Sequence, residues 1–401
     1  MIGERAEKTS LDIWGNIDDP RSMNDGLTSA GIARMEFPSG GTGWIVTKYN
    51  TARQLLGDTR LSTDPSLMGD KAPSAALADD ARQIIDRDML TQDPPVHTRL
   101  RHLVAPSFSK RAITALRPMI ESVAGKLAEE LRDRGKVDLM ADFAAPLPTL
   151  VLAEIFGIPN EDCAQVRHWS DMFAASLVPV TDMLRQSIIW LNDYATDLAR
   201  RKRAAPDDSL TAVLTAGLDD DNVGSMVCLM LVAGQTATTQ LIAKGLRLLI
   251  THEDVHARVR ADRSTLSSIV DEVLRYETPL AFSVMRMAIE SISVGDVVIA
   301  AGDLVLFSFA DVNLDSDRFA CPDRFDPSRQ ENNHLAFGYG IHRCLGASLA
   351  KAEAEIAFGV LMDRFVRIDL AVSAGDPSLA NVRIMTQLTE LPVRSIARKI
   401  P

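Results

Sequence analysis

HLAFGYGIHRCLG, residues 334–346, is the most informative segment of this sequence. It places Cys344 among three glycines and directly before an apolar run with helical spacing. A cysteine at a helix start faces unpaired backbone N–H groups and the positive end of the helix dipole, which stabilise a thiolate. The stretch therefore contains a candidate metal ligand. Because His342 stands two residues earlier as a possible general base, a catalytic nucleophile is a second interpretation, and a purely structural cysteine is a third.

The composition is that of an ordinary globular protein. The chain has 401 residues, of which 46% are hydrophobic and 24% charged, enough for a large core. Its 43 Lys and Arg against 54 Asp and Glu give a net charge of −11, whereas a nucleic-acid-binding protein normally has a positive balance. The four cysteines form no close pair, which argues against a zinc site or a disulfide framework and favours a reducing, cytoplasmic location.

The pattern of apolar residues predicts one mainly α domain with a minor β part. Helical spacing is clear in 113–135, 147–159 and 180–203, while GWIVTKY and the β-branched runs of 292–310 predict strands. The beginning of the sequence lacks the apolar core of a signal peptide. The most apolar helical run, 226–234, is shorter than the ~20 residues of a membrane span. With no repeat or linker, residues 1–401 are expected to form a single domain.

The glycine-rich stretch has a specific residue order. Phe337, Gly338, Gly340, His342, Cys344 and Gly346 give F-G-x-G-x-H-x-C-x-G, which closely resembles the haem-thiolate loop of the cytochrome P450 family. The resemblance implies the cytochrome P450 fold, in which haem lies between a distal helix and the cysteine loop. It also implies that Cys344 is the thiolate ligand of the iron of haem b, where electron donation favours O–O cleavage. Phe337, Gly338 and Gly346 would then contact the haem.

A second motif resembles the family's helix that binds the haem propionates. The sequence from Asp93 to Arg101 matches D-P-P-x-H-x-x-x-R, and His97 and Arg101 at i,i+4 share one helix face. By resemblance, these two residues, together with Arg286 and His342, are expected to bind the two haem carboxylates, for which an arginine fork is well suited. From the residues alone, a solvated basic helix face is equally compatible with the pattern.

A third match concerns the fold. Glu272 and Arg275 resemble the family's E-x-x-R helix, and Arg324 lies in a P-x-R-F sequence between that helix and the cysteine. The resemblance predicts that these three side chains form a buried structural triad. Without it, Glu272 and Arg275 would be interpreted as an ordinary helical ion pair.

The sequence departs from the family in the distal helix. LVAGQTATTQL, residues 231–241, resembles A-G-x-[D/E]-T-T, with Ala233 expected against the haem. In this register Thr236 replaces the acid, Ala237 replaces the oxygen-activating threonine, and Thr238 follows. Cleavage of dioxygen requires two protons, which the acid and the alcohol normally relay with water. Thr236, Thr238, ordered water or a polar group of the substrate could supply the missing hydroxyl. Alternatively, a register slip of one residue, a rotation of ~100°, pairs Thr238 with Thr239.

The substrate pocket is predicted from family position. The residues expected to line it are largely apolar and comprise Leu280, Phe282, Ser283, Val284, Ile384 and Met385, with further contributions from 67–90. Such a lining favours a mid-sized, largely apolar molecule with a few polar groups, for which an intermediate of secondary metabolism is the expectation.

The resemblance implies a monooxygenase that uses O2 and two electrons. No flavin or iron–sulfur signature is visible, so a ferredoxin and a ferredoxin reductase are the expected partners, with no role for nucleic acid or a membrane. Basic residues that could steer an acidic ferredoxin are Arg99, Lys110, Arg111, Arg343 and Lys351. Two alternatives stay open: intramolecular C–C or C–N bond formation by the same oxidant, and a non-catalytic haem-binding or sensor protein.

Overall fold

The computed structural model describes residues 28–36, 42–132, 134–175, 181–373 and 388–397. The described residues are mainly helical, which confirms the predicted fold class. They divide into two compact units. The first unit contains the described residues up to Thr63 together with Leu274–Cys344, and the second contains Asp64–Val273 and the described residues from Leu345 onward. That the chain forms one domain stays a prediction.

The helices follow one another along most of the chain. In chain order they are α1 (Tyr49–Leu56), α2 (Pro65–Met68), α3 (Asp79–Ile85), α4 (Val96–Val104), α5 (Lys110–Glu130), α6 (Pro146–Phe156), α7 (Cys163–Ala175), α8 (Asp182–Ala204), α9 (Leu210–Thr215), α10 (Asp220–Thr251), α11 (Glu253–Ala261), α12 (Leu266–Tyr276), α13 (Phe309–Val312) and α14 (Ala347–Arg364). The strands are β1 (Ile32–Glu36), β2 (Thr42–Val46), β3 (Leu61–Ser62), β4 (Lys136–Asp138), β5 (Arg286–Ala288), β6 (Ile292–Val294), β7 (Val297–Ile299), β8 (Leu304–Phe307), β9 (Phe365–Leu370) and β10 (Pro392–Ala397).

The first unit is built on a five-stranded sheet of order β1-β2-β8-β5-β3. β2 pairs antiparallel with β1 and parallel with β8, so Val46 lies opposite both Ile32 and Phe307. These three side chains are fully buried with Leu55 of α1 and Val305 of β8. The β-branched runs predicted within 292–310 form the β6–β7 hairpin and β8. β-Branched residues suit such buried strands because their side chains pack well on a pleated surface.

The second unit is arranged around α10. Close packing on this helix occurs at glycines: a Cβ atom at Gly234 would lie 2.9 Å from Leu152 Cδ1 of α6, and one at Gly245 would lie 2.2 Å from Phe358 Cζ of α14. The helix begins with Asp219 as its N-cap, whose side chain accepts from the Asn222 N–H at 2.8 Å. β4, β10 and β9 form a separate three-stranded antiparallel sheet in this unit.

α10 is longer than the predicted run 226–234. By length and composition it passes as a membrane span, but 67% of its most apolar window is buried inside the structure. Burial of this kind is typical of the core helix of a globular protein. The length and composition of α10 are therefore only weak evidence for a membrane-spanning segment.

Most predicted helices are present, with one wrong boundary. The runs 147–159 and 180–203 correspond to α6 and α8. The run 113–135, expected to end at Gly135, forms α5, which starts at Lys110 and ends at Glu130. The chain has already left the helix when it reaches Gly135, whose φ of 67° serves the turn before β4.

Candidate functional site

The cysteine loop is closed by backbone hydrogen bonds and depends on its glycines. The Cys344 N–H donates to the Phe337 carbonyl at 2.8 Å, and the Gly338 N–H donates to the Leu335 carbonyl at 2.8 Å. Gly338 and Gly340 have φ values of 69° and 80°, which side-chain-bearing residues rarely adopt. A Cβ atom at Gly340 would also lie 2.4 Å from the Leu56 carbonyl oxygen. The loop therefore holds Cys344 in a fixed, exposed position just before α14.

A buried polar network anchors the entry to this loop. The Leu335 N–H donates to Asn313 Oδ1 at 2.7 Å, and Asn313 Nδ2 donates to Thr278 Oγ1 at 2.9 Å. Two residues before Leu335, the Asn333 carbonyl accepts a hydrogen bond from the Tyr49 hydroxyl at 2.6 Å. Asn313 is fully buried, so both ends of its amide have partners in the core. The position of the cysteine loop is thus set by residues far away in sequence.

The prediction of a buried structural triad is wrong for its third member, Arg324. Arg275 is fully buried, and its guanidinium donates to the carbonyls of Asn313, Pro322 and Arg324 at 3.1, 2.8 and 3.1 Å. The Arg324 side chain is 69% exposed and pairs with Asp326 at 2.6 Å. The chain turns at this point, because the Arg324 N–H donates to the Cys321 carbonyl, and the turn presents the Arg324 carbonyl to Arg275 while its side chain points to solvent.

Arg286 and His342, two of the predicted propionate ligands, lie in the first unit. Arg286 begins β5, is 3% exposed and donates through Nη1 to the Leu56 carbonyl at 3.0 Å. Its guanidinium carbon lies 5.7 Å from the centre of the Phe307 ring. His342 is partly buried, and its Nε2 lies 3.3 Å from Thr63 Oγ1. Both side chains are held by the scaffold of the first unit.

His97 and Arg101, the other two, lie in the second unit on α4 at the predicted i,i+4 spacing. His97 is 2% exposed. Burial lowers the pKa of His97, and the nearby Arg101 guanidinium lowers this pKa further. The imidazole is therefore neutral at pH 7 and has one N–H to donate.

The segment of α10 that departs from the family pattern has an accessible face, although most of the helix is buried. Ala233 is exposed, Thr236 and Ala237 are partly accessible, and Thr238 is 5% exposed. Residues at i, i+3 and i+4 share a helix face, so Ala233, Thr236 and Ala237 form one surface. Small side chains there leave room beside the helix for a bound molecule.

The predicted pocket residues fall in two groups. Leu280, Phe282 and Ser283 are partly accessible, and Val284 is 38% exposed. Ser283 is less available as a substrate anchor than expected, because its hydroxyl donates to the Val284 carbonyl and accepts from the Phe307 N–H. Ile384 and Met385 lie outside the described residues.

Buried polar residues that the sequence did not reveal lie in the second unit. Asp88 is 3% exposed, its Oδ1 accepts from the N–H groups of Leu90 and Thr91, and burial raises its pKa to about 7. Glu353 and Gln235 are buried as well. The spacing of Asp88 before Thr91 is compatible with a self-capping turn, but nothing in the sequence indicates burial. Burial depends on which elements cover a residue.

The residues present fit a haem. Cys344 offers a soft sulfur ligand in an exposed position, the ligand type that haem-thiolate proteins use. A Cβ atom at Gly346 would meet no other atom within 4 Å, so the backbone beside the ligand is open to a flat group. On α10, Ala233 and Ala237 present only methyl groups on the accessible face. The mainly helical fold and the exposed thiol of the cysteine loop are those of a haem-thiolate protein.

Comparison with known proteins agrees with that class. Residues 191–367 match the family model described as Cytochrome P450. The chain is 35% identical to 6-deoxyerythronolide B hydroxylase of Saccharopolyspora erythraea, over 88% of this chain and 90% of that protein. Among solved structures, the tirandamycin C-bound P450 monooxygenase TamI is similar with a TM-score of 0.83 and 36% identity, covering 91% of this chain and 94% of TamI.

A third similar protein has a different reaction in its description. The structure of CxnD, described as the P450 enzyme for C–S bond formation in chuangxinmycin biosynthesis, matches with a TM-score of 0.81 and 28% identity, covering 92% of each chain. On these findings, the chain belongs to the cytochrome P450 family. It is a cytochrome P450 monooxygenase, and the predicted fold and family are confirmed.

Proposed function

We propose that this monooxygenase oxidises a mid-sized, largely apolar intermediate of secondary metabolism, most simply by hydroxylation. The observation that supports this is the accessible face of Ala233, Thr236 and Ala237 on α10, which combines room with one hydroxyl. The partly accessible segment 280–285 is mainly apolar and would contribute further lining. Similarity to 6-deoxyerythronolide B hydroxylase and to TamI, whose structure contains tirandamycin C, supports a substrate of this class.

In this proposal each site residue has a defined role. Cys344 binds the iron of haem b, and His97, Arg101, Arg286 and His342 bind the haem carboxylates. When bound, the haem supplies the oxidation of a C–H bond with O2 and two electrons. The protein positions the substrate, limits access of water and delivers protons.

The carbon monoxide difference spectrum tests the ligand assignment. We expect the reduced protein to show the red-shifted Soret band of thiolate-bound haem and Cys344→Ala to lack it. Cys321→Ala is the matched control, because Cys321 is an exposed cysteine of the same unit outside the loop, and it should keep the band. An ordinary haem–CO band in the wild type would show that Cys344 is not the thiolate ligand.

We also propose that a hydroxyl or amine of the substrate takes part in proton delivery, because Ala237 has no hydroxyl and Thr236 no carboxyl. Ala237→Thr restores the usual alcohol. We expect it to change the amount of product formed per NADPH, and substrate analogues without the polar group to be turned over poorly by the wild type. Equal coupling in both enzymes, with equal turnover of the analogues, would refute this idea.

Bond formation within the substrate is the second candidate, favoured by the similarity to CxnD. A substrate radical can couple internally instead of accepting a hydroxyl group. Product mass distinguishes the two reactions, since hydroxylation adds one oxygen atom and ring closure removes two hydrogen atoms.

For electron supply we propose a separate ferredoxin and ferredoxin reductase in the cytoplasm. Arg99 of α4 and Lys110 and Arg111 of α5 are exposed and would attract an acidic ferredoxin. Lys351 contributes less free charge than expected, because it pairs with Asp271 at 2.7 Å. Replacing Lys110 and Arg111 by Gln should lower the rate of electron transfer most at low ionic strength, where screening is weakest. The fifth predicted residue, Arg343, is exposed in the first unit.

A further inference from the structure

The accessible face of α10, formed by Ala233, Thr236 and Ala237, ends at Gln240. Thr236 and Ala237 are partly accessible, whereas Gln240, which follows them on the same side of the helix, is 5% exposed. Lys244, one further turn along that side, is fully buried. A neighbouring part of the chain therefore covers α10 from about 6 Å beyond Thr236 along the helix axis.

The covering part of the chain includes Leu388, which Gln240 binds at two points. Gln240 Nε2 donates to the Leu388 carbonyl at 3.0 Å, and the Leu388 N–H donates to Gln240 Oε1 at 2.8 Å. Both hydrogen bonds are buried, and Leu388 is 1% exposed. In an antiparallel sheet, two opposite backbone residues exchange the same two bonds. The Gln240 side chain thus takes the place of a neighbouring strand for Leu388.

The same segment is fixed a second time at Leu391, just before β10. The Leu391 N–H donates to Asp138 Oδ1 of β4 at 2.7 Å, and the Leu139 N–H donates to the Leu391 carbonyl at 2.9 Å. The two residues between Leu388 and Leu391 are exposed. Gln240 therefore fixes the part of this segment that lies against α10, and Asp138 fixes the end next to β10.

Gln235 shows that a buried glutamine on α10 need not bind another part of the chain. It is 3% exposed, and both its amide oxygen and its amide nitrogen lack a hydrogen-bond partner among the described residues. It precedes Gln240 by five residues and so lies about 140° away around the helix. The two residues share type, helix and burial but differ in the contact with Leu388, which makes Gln235 a matched control.

We propose that Gln240 is a positioning residue for the substrate. By holding Leu388 against α10, it sets where the space beside the accessible face ends and limits how far a bound molecule extends along the helix. Gln240 acts through Leu388 and does not touch the reacting atoms. A wall that is already fixed does not have to be ordered when a ligand binds, so the ligand binds more tightly. The proposal rests on the proposed function, because it takes the accessible face of α10 as the place where the substrate is held.

Two haem-binding bases of different size test this without a known substrate. Imidazole is small, whereas 4-phenylimidazole carries a second ring that needs space beside α10. Titration of the haem-loaded protein with each base shifts the Soret band and gives its Kd. Gln240→Met keeps the length of the side chain but removes both hydrogen bonds to Leu388. We expect this variant to bind 4-phenylimidazole several-fold more weakly than the wild type and to bind imidazole equally well.

The control Gln235→Met should leave both Kd values unchanged. Gln240→Asn keeps the amide but is one methylene shorter, so it should show a smaller loss for 4-phenylimidazole, and it provides the test if Gln240→Met fails to bind haem. An unchanged Kd for 4-phenylimidazole in the Gln240 variants, equal weakening of both bases, or the same weakening in Gln235→Met would overturn the proposal. Absence of the thiolate-type carbon monoxide band from the wild type would instead refute the proposed function, so the two failures are distinguishable.

Discussion

Arg275 shows how a single residue holds the framework of the site. Its side chain is the largest fully buried one among the described residues, and it donates hydrogen bonds to three backbone carbonyls. One of these carbonyls belongs to Asn313, whose amide binds the entry to the cysteine loop. A planar guanidinium can serve three acceptors at once, whereas an ammonium group cannot reach them in the same geometry.

We therefore predict that Arg275→Lys lowers the free energy of unfolding by about 3 kcal/mol or more, because buried carbonyls lose their donors. Arg324→Gln should change it by less than about 0.5 kcal/mol, since that side chain is largely exposed. Chemical denaturation of the three proteins measures both values. A large loss in Arg324→Gln with little in Arg275→Lys would restore the triad that the sequence predicted.

Asp88 is the residue with the clearest expected pH dependence. Its folded pKa, raised to about 7 by burial, exceeds the ordinary value of 3.8. Between pH about 4 and about 7 the folded state thus holds a proton that the unfolded state has released. The contribution of Asp88 to the free energy of unfolding is greatest at low pH, falls as the pH rises through this range and is level above about pH 7.

Asp88→Asn should remove this dependence while keeping an oxygen that accepts from Leu90 and Thr91. We predict that the wild type loses stability relative to Asp88→Asn as the pH rises from 5 to 8, by on the order of 1.4 kcal/mol for each unit of pKa shift crossed. Denaturation series at several pH values test this. Asp70→Asn, at an exposed acid, is the control, and a difference between wild type and Asp88→Asn that does not vary with pH would contradict the prediction.

At the scale of elements, the contact between α10 and α14 depends on the absence of a side chain. Glycine is a poor helix former, yet Gly245 lies within the 32-residue α10 because the Phe358 ring occupies the space where a Cβ would be. Gly245 therefore lowers the local stability of the helix but allows α10 and α14 to pack closely.

We predict that Gly245→Ala destabilises the protein although alanine is the better helix former by about 1 kcal/mol. Phe358 is fully buried, so overpacking costs about 1–3 kcal/mol and outweighs that gain. Phe358→Leu in the Gly245→Ala background should recover part of the loss, although the smaller side chain alone is destabilising. Thermal unfolding of the four proteins of this cycle gives the coupling, and additive effects would mean that the two residues do not interact.

At the scale of the whole molecule, the described residues divide into two compact units, each with its own sheet and core. Among the described residues, the chain passes from one unit to the other after Thr63, within α12 and directly after Cys344. A helix that continues through a boundary makes independent folding of the parts unfavourable, because unfolding one part frays the helix end of the other.

We predict a single cooperative thermal transition for the haem-loaded protein, as expected of one domain. Phe307→Leu in the first unit and Gly245→Ala in the second should both move that same transition to lower temperature. Calorimetry of the wild type and the two variants provides the measurement. Two transitions, each shifted by only one of the variants, would show that the units unfold separately.

Sequence reasoning worked best where a local pattern has a local cause. The order of residues 337–346 identifies the cysteine loop, because positive φ values and a helix start depend on neighbouring residues. Helical spacing likewise predicted α6 and α8 closely. The end of α5 was less predictable, since Gly135 belongs to the turn before β4, a strand whose partner β10 lies near the other end of the chain.

The family, the mainly helical class and the candidate thiolate ligand could all be predicted from the sequence, because they follow from short patterns along the chain. The exposure of Arg324 and the burial of Glu353 could be seen only in the folded structure. Exposure is decided by which distant elements cover a side chain, and that information is not contained in the spacing of neighbouring residues. For the same reason the buried acids Asp88 and Glu353 became visible only when the chain was folded.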